Sequence, residues 1–326
     1  MGEHALLDQV LTDADPARTP RDAPPDAAAL MVRDRIIRNA RASRRRRSVV
    51  IGWAAGLATV AAAAVVAVAV LMPQGQAVAD GLDPLDFSSA MSAETTVATA
   101  QDALAQAPGP AAPERLVRSA NWAFDINGNT GETEVVPQLT LLQWNADLSG
   151  RMTSVLGVPY DPADASANMG AEVSSSGQVA VDLTIEPGQF TTPVPDPFGS
   201  TESEVEAALT AFGMPTDPTG ADVLTAMTTM LQQWTLTNAQ HSQLLGILEA
   251  TDDAEGLGTT VDRLGRPASG LRVVSTDGSA SDVVLVSGDT GRIIGIERTN
   301  IEDTDLIDAG AVVSYTLWDV DESLVR

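Results

Sequence analysis

The chain contains no cysteine and no lysine. Without thiols it can form no disulfide, no thiolate nucleophile and no thiolate zinc site, so an exported domain would rest on its core alone. All 19 of its basic residues are arginine, a bias that, with abundant Ala, Val, Asp and Gly, points to a GC-rich bacterial genome. Histidine is nearly absent: only His4 and His241 occur. A serine or threonine nucleophile would lack a base unless His241 served. There is no G-x-S-x-G elbow, no glycine-rich phosphate loop after a strand and no H-E-x-x-H. The reading is therefore of a protein that is not an enzyme, with no catalytic residue and no cofactor. His241 falls near the start of a predicted helix, where a solvent-facing role is expected.

Two acidic stretches invite a metal test. Asp125, Asn127 and Asn129 have the opening spacing of an oxygen-ligand calcium loop, but Thr130 replaces its glycine and Val136 its terminal glutamate, so a hairpin turn is expected. Glu302, Asp303, Asp305 and Asp308 read as a hydrated acidic loop. No metal site is assigned.

What the chain does have is one long apolar run, Ser48 to Met72 (SVVIGWAAGLATVAAAAVVAVAVLM), without a charged residue. As a helix it would extend about 37 Å, against a hydrocarbon core of about 30 Å. Arg44, Arg45, Arg46 and Arg47 stand directly before it, and arginines crowded at one end hold that end on the cytoplasmic side. Pro73 and Gly75 follow it. The expectation is a single-pass membrane helix over 48–72, with the preceding residues inside and the following ones outside. Gly52 and Gly56 form one small-xxx-small pair, a candidate face for a homodimer through that helix. The competing reading is a cleaved export signal ending at Ala77-Val78-Ala79. A cleaved signal has an apolar region of about 7–15 residues and a short basic start, and both are longer here.

Charge follows the same boundary. Residues 1–47 carry ten Arg against seven Asp or Glu, a balance of +3, and residues 73–326 carry nine Arg against 37 acidic residues, a balance of −28. An outer domain this acidic is unsuited to nucleic acid or to an anionic lipid surface. No aromatic residue interleaves the arginines, so the basic run is read as a topology signal with some attraction to anionic lipid, not as a nucleic-acid site.

Along the chain, residues 1–47 read as a cytoplasmic tail with short amphipathic helices, carrying Leu6, Leu7, Val10 and Leu11 and then Leu30, Val32, Ile36 and Ile37 at helical spacing. Residues 73–113 read as a stalk or linker. It contains a candidate helix over Ala93–Gln106 and a stiff Pro108, Gly109, Pro110, Pro113 break, and the outer domain is expected from Glu114 to 326. Strands are expected over Leu116–Phe124, Val135–Trp144, Arg151–Val158 and Gln178–Ile185. Three helices follow, opening at Thr201 or Ser203, Thr219 or Asp217, and Thr237 or Asn238, and their Met and Trp stripe is read as core. Five further strands cover Thr259–Val261, Gly270–Ser275, Val283–Ser287, Arg292–Arg298 and Val312–Val320. Tight turns such as Asp277-Gly278 make neighbouring strands antiparallel. Strands, then helices, then strands give an α+β domain: one curved antiparallel sheet packed on about three helices.

Three stretches carry a family resemblance: RASRRRR leading into the apolar run, LLQWNADLSGRMTSV at residues 141–155, and GTTVDRLGRPASGLRVVSTDGSASDVVLVSGDTGRIIGIERT at residues 258–299. The last holds a D-x-x-G-R turn at Asp262–Arg266 and a shorter D-T-G-R at Asp289–Arg292. With them the chain resembles actinobacterial single-pass membrane proteins encoded beside extracytoplasmic-function sigma factors. The resemblance implies a membrane-bound, anti-sigma-like regulator with a cytoplasmic sigma factor as partner. The outer domain also looks like the lipoprotein-carrier half-barrel of some envelope-stress sensors. The expected function is a non-enzymatic envelope sensor or regulator in the cell membrane. The alternative is a hydrophobic-ligand carrier or scaffold on the same anchor.

Overall fold

The computed structural model describes residues 48–51, 82–127, 133–159, 173–302 and 309–325. Residues 1–47 and 52–81, which hold the expected tail and most of the expected membrane helix, lie outside these. No helix among the described residues is long and apolar enough to cross a membrane.

The order of elements is β1 (Ser48–Ile51), α1 (Ala93–Gln106), β2 (Leu116–Asn127), β3 (Thr133–Trp144), β4 (Gly150–Gly157), β5 (Ser175–Ile185), α2 (Glu202–Ala211), α3 (Gly220–Leu231), α4 (Asn238–Glu249), β6 (Glu255–Val261), β7 (Pro267–Val274), β8 (Ala280–Ser287), β9 (Ile293–Asn300) and β10 (Val312–Trp318). The long strands form one antiparallel sheet in the order β5-β4-β3-β2-β10-β9-β8-β7-β6. Two meanders thus meet where β10 pairs with β2, with Leu317 opposite Ala120. The α+β reading holds, and each of the nine expected strands is present.

Local chemistry explains the helices. Thr201, Thr219 and Thr237 open α2, α3 and α4, each in a capping box with Glu204, Asp222 or Gln240 three residues on. Each box satisfies two amide donors that the first turn leaves unpaired.

The sheet is buried on both faces in its middle, as the uninterrupted Val283–Val286 run implies. Val284 and Val286 join the core beneath the helices, with Trp144, Met227, Met230, Trp234 and Leu245. The Met and Trp stripe is core. Val283 and Leu285 face the other way, among Leu82, Trp122, Leu139, Tyr315 and Leu317. At the β5 edge the helix cover ends. Val179, Val181 and Leu183, expected to line one face, are 55%, 39% and 43% exposed. The register shift between Ser154 and Val155 also moves Val179 out of line with Val181.

Residues 82–113 are not a stalk. Leu82 is fully buried, and Val97, Ala100 and Leu104 of α1 enter the helix-side core. The chain approaches so closely because glycines receive it. A Cβ on Gly270 would run into the Phe87 ring, and one on Gly291, at φ 72°, would run into the Ala100 carbonyl. The folded unit therefore begins by Leu82, not near Glu114.

The expected membrane helix does not begin at Ser48. Ser48–Ile51 is a strand paired with β2, and Val49, Val50 and Ile51 are β-branched residues that suit one.

Candidate functional site

Two buried polar clusters stand out among the described residues. The first gathers at the end of β10, where both D-x-x-G-R-like turns converge. Asp262, buried, accepts the Leu264 and Arg266 amides at 2.9 Å each and the Arg266 Nε at 2.7 Å. Arg266 is thereby aimed at β10 and donates from Nη1 to the Trp318 carbonyl at 2.7 Å. From the other turn, Arg292 Nε reaches the Asp319 carboxylate at 2.7 Å, and its Nη1 reaches the Leu236 carbonyl and Asn238 Oδ1 at 3.0 Å each. Asn238 in turn donates to the Leu104 and Ala107 carbonyls. One guanidinium so ties β9, the end of β10, the start of α4 and the end of α1. Asp319 sits at φ 54°, a left-handed conformation unusual for a residue with a Cβ, and these two arginines hold it there.

His241 belongs to this cluster, contrary to the solvent-facing expectation. It is 1% exposed, and its Nδ1 accepts the Ile293 amide at 3.2 Å. Burial, then the Arg292 charge, push its pKa down to about 3, with Asp319 opposing. The folded state therefore holds His241 neutral where an unfolded chain would protonate it. Between about pH 6.5 and pH 3 the unfolded state binds more protons, so stability falls as pH falls through that window. Thermal melts of wild type are expected to lose midpoint steadily below pH 6.5. His241→Phe is expected to flatten the slope between pH 6.5 and 5, before the carboxylates titrate.

The second cluster lies on the opposite face. Arg263 Nε and Glu297 Oε2 are 2.8 Å apart, with side chains 2% and 3% exposed. Arg263 Nη2 donates to the Asp83 carbonyl at 2.7 Å, and Glu297 Oε1 accepts the Leu85 amide at 3.1 Å. The Arg263 guanidinium stands 5.5 Å from the Tyr315 ring centre. This ion pair pins the strap that enters the domain at Leu82. Ser88 extends the attachment by exchanging two backbone hydrogen bonds with Thr259 on β6.

The two clusters hold and position the elements around them. His241 is sealed and neutral, and the buried carboxylates are engaged by arginines. Between the end of α1 and the start of α4 runs a groove of about 750 Å³, lined by Leu104, Pro110, Pro113, Phe198, Asn238 and Gln240 among others. Its amides are turned inward, Gln240 Nε2 donating to the Phe198 and Gly199 carbonyls.

Of the residues singled out from sequence, Arg44, Arg45, Arg46 and Arg47 lie outside the described residues. So do Asn129 and Thr130 of the tested calcium loop and Asp303, Asp305 and Asp308 of the acidic loop. Glu302 is exposed. Among the described residues no group of three His, Asp or Glu is placed to hold a metal ion. No protein-family model matches the chain, and no curated protein matches it.

Proposed function

We propose that this chain is a non-enzymatic, single-pass membrane protein of the envelope. Its acidic outer domain would sense or bind a signal, and its tail would carry that state to a cytoplasmic sigma factor. One observation carries the reading: the change in charge from +3 to −28 across a 25-residue uncharged apolar run bordered by four arginines. The strap supports it. A displacement applied at residue 82, just beyond that run, meets the Arg263–Glu297 pair and the β6 edge directly. The carrier alternative asks for an apolar hollow between helices and sheet, and that space is filled by Trp144, Phe190 and Trp234.

The β1–β2 pairing sets Ser48–Ile51 beside the outer domain, whereas the proposed topology sets Arg47 at the inner surface. The two are mutually exclusive arrangements. The regulator half is tested by affinity capture of the full chain from its own membranes. Recovery of a sigma factor that is lost on deleting residues 3–40 is the expected result. Recovery of none, with envelope phenotype unchanged by the deletion, overturns it.

A further inference from the structure

The two edges of the sheet are finished differently. At β6 the strap closes the edge: Ser88 exchanges backbone hydrogen bonds with Thr259 at 2.7 and 2.8 Å, and Thr260 Oγ1 donates to the Asp86 carbonyl at 2.6 Å. At β5 the sheet ends, and among the described residues no strand pairs with its outer side. An open edge is a template for another strand, and proteins usually guard it with charges, proline or a covering segment. β5 contains no proline and a single charged residue, Asp182. Three of the seven large apolar side chains that stand exposed among the described residues, Val179, Val181 and Leu183, are on this one strand.

The register shows which face is offered. Val181 stands opposite Ser154, Leu183 opposite Met152 and Ile185 opposite Gly150. Met152 and Gly150 in turn stand opposite Leu142 and Trp144, which belong to the helix-side core. Val181, Leu183 and Ile185 therefore continue that row past the end of the helices. Asp182 alternates to the other face, where Arg151 donates to both its carboxylate oxygens, at 2.8 and 2.7 Å. The strand's one charge is thus matched within the chain and calls for no basic partner. Residues 73–326, with a balance of −28, repel a second copy at long range. Salt confines that repulsion to about 8 Å at physiological ionic strength, so the charges at the seam decide.

A two-fold axis requires a patch to match itself. The segment Val181–Ile185 alternates apolar and polar residues identically in both directions, and it matches itself when the axis passes through Leu183. Leu183 then faces its own copy, Val181 faces Ile185 of the other copy, and Asp182 faces Thr184 of the other copy. Moving the axis by one residue sets Asp182 against either Asp182 or Glu186, like charges directly opposite. Moving it to Val181 meets the register shift between Ser154 and Val155, which puts Val179 and Leu183 on opposite faces. We infer that β5 is a homodimer seam, in which Val181–Ile185 pairs antiparallel with the same residues of a second copy and joins the two sheets into one. The inference is independent of what the tail binds.

The absence of cysteine makes the test direct. Leu183→Cys and, as a control, Val179→Cys are oxidised in the full chain in detergent and followed on denaturing gels. Residues opposite each other across an antiparallel seam have Cα atoms about 4.5–5.5 Å apart, within reach of a disulfide, whereas Val179 would stand more than about 20 Å from its copy. Leu183→Cys is expected to form covalent dimer about tenfold faster or more than Val179→Cys, although Val179 is the more exposed. Adding Val181→Arg to Leu183→Cys breaks both symmetry-related pairs with Ile185 and is expected to slow the cross-link about tenfold. Arginine lowers the net negative charge, so that loss is not general repulsion. Equal rates for the two cysteine variants, as chance collision or contact through the membrane helix alone would give, overturn the inference. So does the lack of dimer from either, which leaves the edge to a foreign strand or to solvent, and so does a Leu183→Cys cross-link indifferent to Val181→Arg.

Discussion

Glu297→Ala is expected to cost about 3–5 kcal/mol, because it leaves the Arg263 guanidinium buried without its counter-charge. The same substitution strips the Leu85 amide of its acceptor. For a domain of this size that corresponds to a fall in melting temperature of roughly 6–20 °C. Replacing both partners by Met removes the charges together and is expected to cost much less than the two single changes added, which a double-mutant cycle reads directly. Amide exchange locates the damage: Leu85 and Ser88 in the strap should exchange far faster in Glu297→Ala, while α3 and α4 keep their order of protection. The exposed Arg151–Asp182 pair, with side chains 64% and 49% accessible, is the control, and Arg151→Ala should leave the melting temperature unchanged.

Trp144→Ala is expected to be of similar size, about 3–5 kcal/mol, for a different reason. Trp144 is 2% exposed, stacks on Phe190 at 4.7 Å and meets the Trp234 ring edge-on at 4.8 Å. Its Nε1 donates to the Gln233 carbonyl at 2.8 Å, so the indole joins β3 to the end of α3. Alanine opens a hole and orphans a carbonyl. Trp144→Phe keeps most of the packing and loses the hydrogen bond, at about 1–3 kcal/mol. Urea titrations followed by circular dichroism separate the two, and equal losses for both would show that the hydrogen bond, not the ring, matters.

The strands were legible because period-two alternation and Asp-Gly turns are local signals. The helix starts are legible only to a pair of candidates each, and of these Thr201, Thr219 and Thr237 are the caps, each three residues ahead of its Glu, Asp or Gln. What lay beyond reach was non-local. The strap reads as a linker since Pro108, Pro110 and Pro113 punctuate it, and its attachment depends on Arg263 and Glu297, about 180 and 212 residues away. The Ala-rich α1 looks weakly amphipathic. It is buried because its small face lets the backbone settle on Gly291, a fit visible only once β8 and β9 have folded. His241 looks exposed because it sits in a first helical turn, yet Arg292 and Ile293 come from a turn some 50 residues later to cover it. In the sequence the two arginine motifs show only as turns, whereas their side chains clamp the end of β10.

The central claim is that the apolar run separates an inner tail from an outer domain. The chain's lack of cysteine makes single-cysteine labelling with a membrane-impermeant maleimide the most direct measurement. In intact cells of a host that inserts the full chain, Thr276→Cys, on the exposed β7–β8 turn, should label without lysis. Ser43→Cys, next to the arginines, should label only after the membrane is broken. Labelling of Ser43→Cys in intact cells would contradict the account and fit the β1–β2 pairing instead, and recovery of either variant in the soluble fraction would remove the anchor altogether.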